Sequence, residues 1–563
     1  MAGQERHNEG ANAGAVQGGT CVRWCTFVRG VVLPAAAVIL AVNLFGYFHA
    51  ASLQDKLAKA LVAGNHRAAL PLYQSLIATD FYRVDYHWGY LQCHNTLAGQ
   101  ARRNGSHYLD SARQEYRTHT RSQEAAAADI GWYGLGFLAS LQNDYPAAIE
   151  AFGRVRNRDL PYLNNSLGYV FLQLDDRERA KAAFRREIEL DGFCAGAYAN
   201  LAQLHYLEKD FETLEQMIAD ATVRPYVPGQ IRRISAMKTG RLWGYLADSM
   251  RIDYVTVFGL VAAAVVLALW FQYLRGLDVF EPEPLRALLL ALGLGMGFST
   301  LCVVWYDIFD VALGLRLGDG LWRDLLYCIA GIGLVEETLK IIPFLLMLRV
   351  SRQVDESLDY IIYAGMSALG FAFMENLIYF QDPGLGSIVS RTFSAVLMHM
   401  SLTVFSAYGL FYAKYRMQGR GRGVYFALTF AAACLVHGLY DFWLLAEDLS
   451  GPFRLISLAI LLVCVQGFSN MIKNGLNQSE YNPDATERIE HRTQYLVYFL
   501  SAVFLLQYVL LAVRCGAENA NLGIAQSAAF LYIPLLVVFG NLGTIRIQKS
   551  RWIPLFGRPK PHS

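Results

Sequence analysis

The chain has 563 residues, 54% of them hydrophobic and only 17% charged, with a formal net charge of +2 and a mean hydropathy of +0.26. That length exceeds a single ordinary domain, and that hydropathy points to a polytopic membrane protein with soluble parts. Charge this close to balance, with no basic patch interleaved with aromatics, argues against a nucleic-acid partner. The nine cysteines show no CxxC pair and no metal-like spacing; Cys93 and Cys194 would form a disulfide in an oxidising compartment or remain two lone thiols.

Residues 1–24 are polar and Gly-rich and read as a cytoplasmic tail. Residues 25–49 read as an uncleaved signal-anchor helix. The apolar run Phe27–Phe48 is long enough to span a bilayer, is broken only by Arg29 and Asn43, and has no convincing cleavage site after it. Residues 50–240 change to mixed polarity with helical periodicity and a repeat near 34 residues. Trp132, Leu135, Gly136, Ala148 and Phe152 sit at the offsets of a tetratricopeptide repeat (TPR), and Leu167, Gly168, Ala180 and Phe184 repeat the pattern 32 residues later. Leu201, Ala202 and Leu214 form a weaker third copy. In such repeats small residues let helices approach while aromatics fill the layer between pairs.

Residues 254–545 read as a multi-span membrane domain, with apolar spans at about 255–273, 287–306, 325–348, 360–380, 392–413, 424–445, 455–471, 495–513 and 524–542. Residues 546–563 form a basic cytoplasmic tail, and the polar stretch 473–493 carries no recognisable chemistry. The expected fold is therefore all-α, a transmembrane helical bundle of about ten spans with a TPR-like α-solenoid. Loop charges orient it. With the N-terminus inside, the inner loops carry Arg275, Arg349, Arg352, Lys414, Arg416, Arg420, Arg422 and Lys473, and the outer loops carry fewer basic residues. This places both termini in the cytoplasm and the TPR-like domain outside it.

The stretch Gly331–Phe344, GIGLVEETLKIIPF, sets Glu336, Glu337 and Lys340 inside an apolar run. Burying ionisable groups at membrane depth is costly, and the plain alternative to a functional site is a charge pair that helps helices pack. Three further spans also carry polar groups: Glu375 and Asn376, then His399, then His437 with Asp441. Counted from the outer ends of their spans, all lie within about 10 Å of one another along the membrane normal. His437 and Asp441 share a helix face at i,i+4, and Lys340 can keep one glutamate ionised. Carboxylates and imidazoles converging on a wet pocket suit hydrolysis, with a Glu drawing a proton from water. No cofactor is expected; the alternative is zinc held through His399, His437 and Glu375, against which stands the lack of an HExxH helix.

EExxK, GFxxxEN, an Arg eight residues ahead of a His, and HGLYD, in that order over about residues 280–470, resemble the PrsW family of intramembrane proteases, related to the CAAX prenyl protease group. The resemblance implies a bacterial inner-membrane endopeptidase of glutamic type, or a metallopeptidase as the family has also been classed. Glu336 and Glu337 would be general base and partner, Glu375, His399 and His437 would complete the site, and Lys340, Asn376 and Asp441 would support it. Asp441 stands where an Asn would be expected. The implied substrate is a membrane-anchored, anti-sigma-factor-like protein cut near the outer face, with the TPR-like domain recruiting or regulating it or binding a partner protein. A proton-coupled transporter or a non-catalytic scaffold is the alternative. The polar groups occupy consecutive spans without the inverted symmetry common in transporters.

Overall fold

The computed structural model describes residues 33–48, 52–101, 105–190, 194–249, 255–381, 384–446, 449, 451–480, 486–542, 545 and 547–556. The expected tail 1–24, the start of the anchor, Cys21, Cys25 and the end of the basic tail lie outside the described residues, as does the side chain of Cys194; Cys93 is a free buried thiol. Among the described residues every regular element is helical, and two compact units are present.

One unit comprises the described residues between 51 and 254 together with 303–315. Its helices run from Leu53–Val62 to Leu242–Ser249, and most pack on the next in the chain. Three turns of this unit share a backbone pattern. Asn143, Asp175 and Lys209 each adopt positive φ, and the next residue, Asp144, Asp176 or Asp210, caps a helix by accepting from the backbone N–H three residues on. The paired small and aromatic positions meet as well. A Cβ on Gly136 would come 2.5 Å from the Phe152 ring, and one on Gly168 would come 2.6 Å from Phe184. Asp307, one residue beyond the expected span 287–306, is buried and accepts two bonds from Arg233 at 2.8 and 3.1 Å.

The other unit holds a helical bundle, whose helices are α1 (Val257–Leu277), α2 (Leu285–Ser299), α3 (Leu334–Val350), α4 (Asp359–Tyr379), α5 (Ala395–Tyr415), α6 (Arg422–Leu445) and α7 (Arg454–Asn477). Helices Leu33–Phe48, Thr486–Cys515 and Ala517–Leu542 belong to the same unit. Among the described residues, six stretches are long and apolar enough to cross a membrane: α1, Leu285–Leu313, α4, Gly384–Tyr415, α6 and α7. The expectation was about ten. The first expected span begins in residues outside the described ones, and α3 carries Glu336, Glu337 and Lys340 within its apolar run. In the apolar windows of Asp359–Tyr379 and Gly384–Tyr415, 78% of residues are buried, against 28% for Arg422–Leu445, so α4 and α5 are the central helices. Every ionisable group singled out in the sequence lies on α3 to α6.

Candidate functional site

Wide π-type turns at Tyr327–Gly333 lead into α3, a helix irregularity often found beside functional groups. There α3 crosses α6 with almost no space between backbones. A Cβ on Gly333 would lie 2.9 Å from the Gly438 nitrogen and closer still to the Cys434 carbonyl oxygen, and one on Gly438 would meet Cys328 O at 2.7 Å. Two glycines therefore set the distance at which Glu336 and Glu337 face His437.

Lys340 is fully buried at the centre of the site. Its Nζ donates to Glu337 Oε1 at 2.7 Å and to His399 Nδ1 at 2.8 Å, and stands 3.4 Å from both His437 Nδ1 and Glu336 Oε2. The Phe371 ring closes one side, 4.8 Å from the ammonium. Glu337, also fully buried, accepts from Thr403 Oγ1 at 3.0 Å through Oε2, and its Oε1 bonds His437 Nδ1 at 2.8 Å. A carboxylate bound this completely is a fixed, charged strut. Glu336 lies beside them, with Oε2 3.7 Å from His437 Nε2 and 3.9 Å from His399 Nδ1.

Glu375 bonds the far side of His399, Nε2 to Oε2 at 2.6 Å, and pairs with Arg391 Nη2 at 3.0 Å. Arg391 also donates from Nε to Asn376 Oδ1 at 2.8 Å and lies 3.8 Å over the Tyr379 ring. Asn376 is thus a partner of Arg391. Asp441 Oδ2 lies 3.4 Å from His437 Nε2, on the shared face that i,i+4 spacing requires. One contributor was not picked out from the sequence: Thr403 lies one turn after His399 on the same face. Arg391, the arginine eight residues ahead of His399, holds Glu375 and Asn376.

Hydrogen bonding selects the tautomer of His399: Nε2–H donates to Glu375, and the Nδ1 lone pair accepts from Lys340 Nζ. His437 has carboxylates at both ring nitrogens, Glu337 Oε1 at 2.8 Å from Nδ1 and Asp441 Oδ2 at 3.4 Å from Nε2. The expected zinc set of His399, His437 and Glu375 is corrected by this geometry. The donor atoms that converge within 4.8 Å belong to Glu336, His399 and His437, because Glu375 occupies the opposite nitrogen of His399. One carboxylate and two imidazoles, each imidazole backed by a second carboxylate, fit a zinc-type ion. Lys340 supplies a positive charge beside the same donors, and its Nζ would have to turn away from His399 Nδ1 for an ion to use that lone pair.

Residues 283–467 match the PrsW family, whose model is described as PrsW family intramembrane metalloprotease. Among curated proteins, the chain is 26% identical over 200 residues to Protease PrsW of Geobacillus kaustophilus, covering 35% of this chain and 84% of that protein. It is 26% identical over 207 residues to Protease PrsW of Clostridioides difficile (36% and 84%), and 27% identical over 195 residues to that of Bacillus subtilis (34% and 84%). No solved structure gives a significant match. The matched segment contains α2 to α6 and most of α7, hence every residue of the site. These relatives indicate a peptidase. Together with the six apolar helices they indicate a multi-pass membrane protein.

Proposed function

We propose that the chain is an intramembrane endopeptidase that cuts membrane-anchored proteins, with Glu336 activating the attacking water. The observation that carries this reading is the meeting of Glu336, His399 and His437 from three helices, each imidazole held from behind by a carboxylate. In the reaction Glu336 takes a proton from water, the hydroxide oxygen adds to the scissile carbonyl carbon, and the same proton passes to the departing amine. Lys340 is the closest fixed positive charge to the developing oxyanion. Glu337 and Thr403 hold His437 and Lys340 in register, and Arg391 and Glu375 do the same for His399.

The closeness of three potential ligand atoms, within 4.8 Å of one another, favours a second reading, in which Glu336, His399 and His437 hold a metal ion. Such an ion would polarise the scissile carbonyl and lower the pKa of a bound water.

The charge bias of the loops supports cytoplasmic termini, a repeat domain outside the cytoplasm and a site in the outer half of the bilayer. In this reading the TPR-like domain recruits or restrains the substrate, and family resemblance makes an anti-sigma-factor-like protein the first substrate to try. The test is co-expression with single-pass membrane proteins tagged at both ends. A product formed with the wild type and lost with His399→Ala and His437→Ala supports the proposal. Unchanged processing by folded variants would shift the weight to a scaffold or a transporter.

A further inference from the structure

The sequence NMIKNGLNQ, which closes α7, places Asn470, Asn474 and Asn477 on one helix face, with Gly467 one turn earlier on the same stripe. That stripe holds the chain's own C-terminal segment, residues 547–556, by its backbone. Asn477 Nδ2 donates to Arg551 O at 2.9 Å, and Asn477 Oδ1 accepts from Gln548 N at 2.6 Å. Asn474 donates to Ile553 O at 2.8 Å and accepts from Ile553 N at 2.7 Å, the paired exchange a neighbouring β-strand would make. Asn470 donates to Pro554 O and Leu555 O at 3.1 and 3.0 Å.

Residues 551, 553 and 555, with Pro554 O bonded between the last two, meet Asn477, Asn474 and Asn470 in reverse order along the stripe. One turn of helix rises about 5.4 Å, and two extended residues cover about 6.6 Å, so the helix stripe and the strand period run nearly in step. Trp552 contributes a side-chain anchor between Phe411, Tyr412 and Arg416, with ring centroids 5.6 and 5.7 Å away and the guanidinium at 5.5 Å. Gly467 leaves room for Phe556, which a Cβ there would meet at 3.1 Å.

Leu555 and Phe556 also line an apolar cavity of about 350 Å³ between α5, α6 and α7. The same cavity is lined by Ser401 and Val436, two and one residues from His399 and His437. A groove that reads backbone in one register accepts any extended peptide of suitable fit, as in recognition by strand addition.

We propose that residues 547–556 are a displaceable strap lying in a docking groove for an extended polypeptide, and that the occupant excluded by the strap is the stretch flanking the substrate's transmembrane helix. The identity of that occupant rests on the peptidase reading; the groove itself does not.

The test uses the full-length protein in detergent and a fluorescein-labelled synthetic peptide with the sequence of residues 549–557. The Trp552→Ala chain, whose strap has lost its anchor, is expected to bind this peptide at least tenfold more tightly than the wild type. Adding Asn474→Leu, or N-methylating the peptide at its Ile553 equivalent, is expected to remove that binding. Leu555→Cys in an otherwise intact chain provides a second route: its thiol is expected to be labelled faster when the unlabelled peptide is present. Equal affinity for wild type and Trp552→Ala, full binding of the N-methylated peptide, or labelling unaffected by peptide would overturn the proposal. Peptide binding measured in a Glu336→Gln background separates failure of the groove from failure of the peptidase reading.

Discussion

Gly333→Ala is the sharpest mechanical test of the site, because it adds one methyl group at the α3–α6 crossing and changes no polar group. The new Cβ would lie 2.9 Å from the Gly438 nitrogen and closer to the Cys434 oxygen, both of them backbone atoms that cannot turn aside. Restoring ordinary contact requires the helices to separate by on the order of 1 Å. The His437–Glu337 bond, 2.8 Å in the structure, then lengthens to about 3.8 Å and ceases to be a hydrogen bond. A lost charge-assisted bond costs about 1.5–3 kcal/mol, and a misplacement of about 1 Å at a reacting centre costs about a hundredfold in rate. Cleavage of a substrate protein in reconstituted vesicles should therefore fall by about 10- to 100-fold, while the circular dichroism of the purified variant stays that of a folded helical protein. Activity within twofold of wild type would refute the claim that this crossing sets the geometry of the site.

Arg391→Ala removes the partner of both Glu375 and Asn376. Cleavage should fall at least tenfold, with partial recovery in Arg391→Lys, which keeps the charge but not the fork or the stacking on Tyr379; equal rates for the two variants would count against the orienting role. Lys340→Met leaves Glu337 buried without its cation, and the detergent-solubilised protein should lose about 3–5 kcal/mol in a denaturant titration. An unchanged midpoint would show that Lys340 does not hold the carboxylates. In the repeat unit, burial lowers the pKa of His87 from 6.5 to about 4. The unfolded chain then binds more protons than the folded one between these values, so stability is full above about pH 6.5 and is lost as pH falls towards 4, by up to about 3 kcal/mol. Denaturant midpoints at pH 7 and pH 4.5 should converge in His87→Gln; a pH dependence identical to wild type would assign the effect to other groups.

Much of the site was legible because charge at membrane depth is costly enough to stand out in any apolar run. Glu336, Glu337, Lys340, His399 and His437 do converge, and the i,i+4 spacing of His437 and Asp441 gave their shared face. In residues 50–240 the sequence paired Gly136 with Phe152 and Gly168 with Phe184, and these do meet, since the small residue leaves room for the ring. What spacing along one helix could not give is which nitrogen of an imidazole faces which carboxylate. That depends on how far apart two helices stand, and so on Gly333 and Gly438. For that reason Glu375 was grouped with the metal donors and Glu336 was not. Asn474 and Asn477 were equally opaque in a polar stretch, since their partners lie more than 70 residues away.

The most direct test of the central claim compares Glu336→Gln with Glu337→Gln in purified protein acting on an identified substrate, with metal content measured on the same samples. If Glu336 is the group that activates water, Glu336→Gln should lose at least two orders of magnitude in rate while the protein stays folded. Glu337→Gln should lose both activity and stability, because it removes the charged strut beneath Lys340 and His437. Stoichiometric metal in the wild type that is lost in His399→Ala would establish the metal-bound form of the same centre. A Glu336→Gln protein that cuts its substrate at a rate within tenfold of wild type would contradict the account.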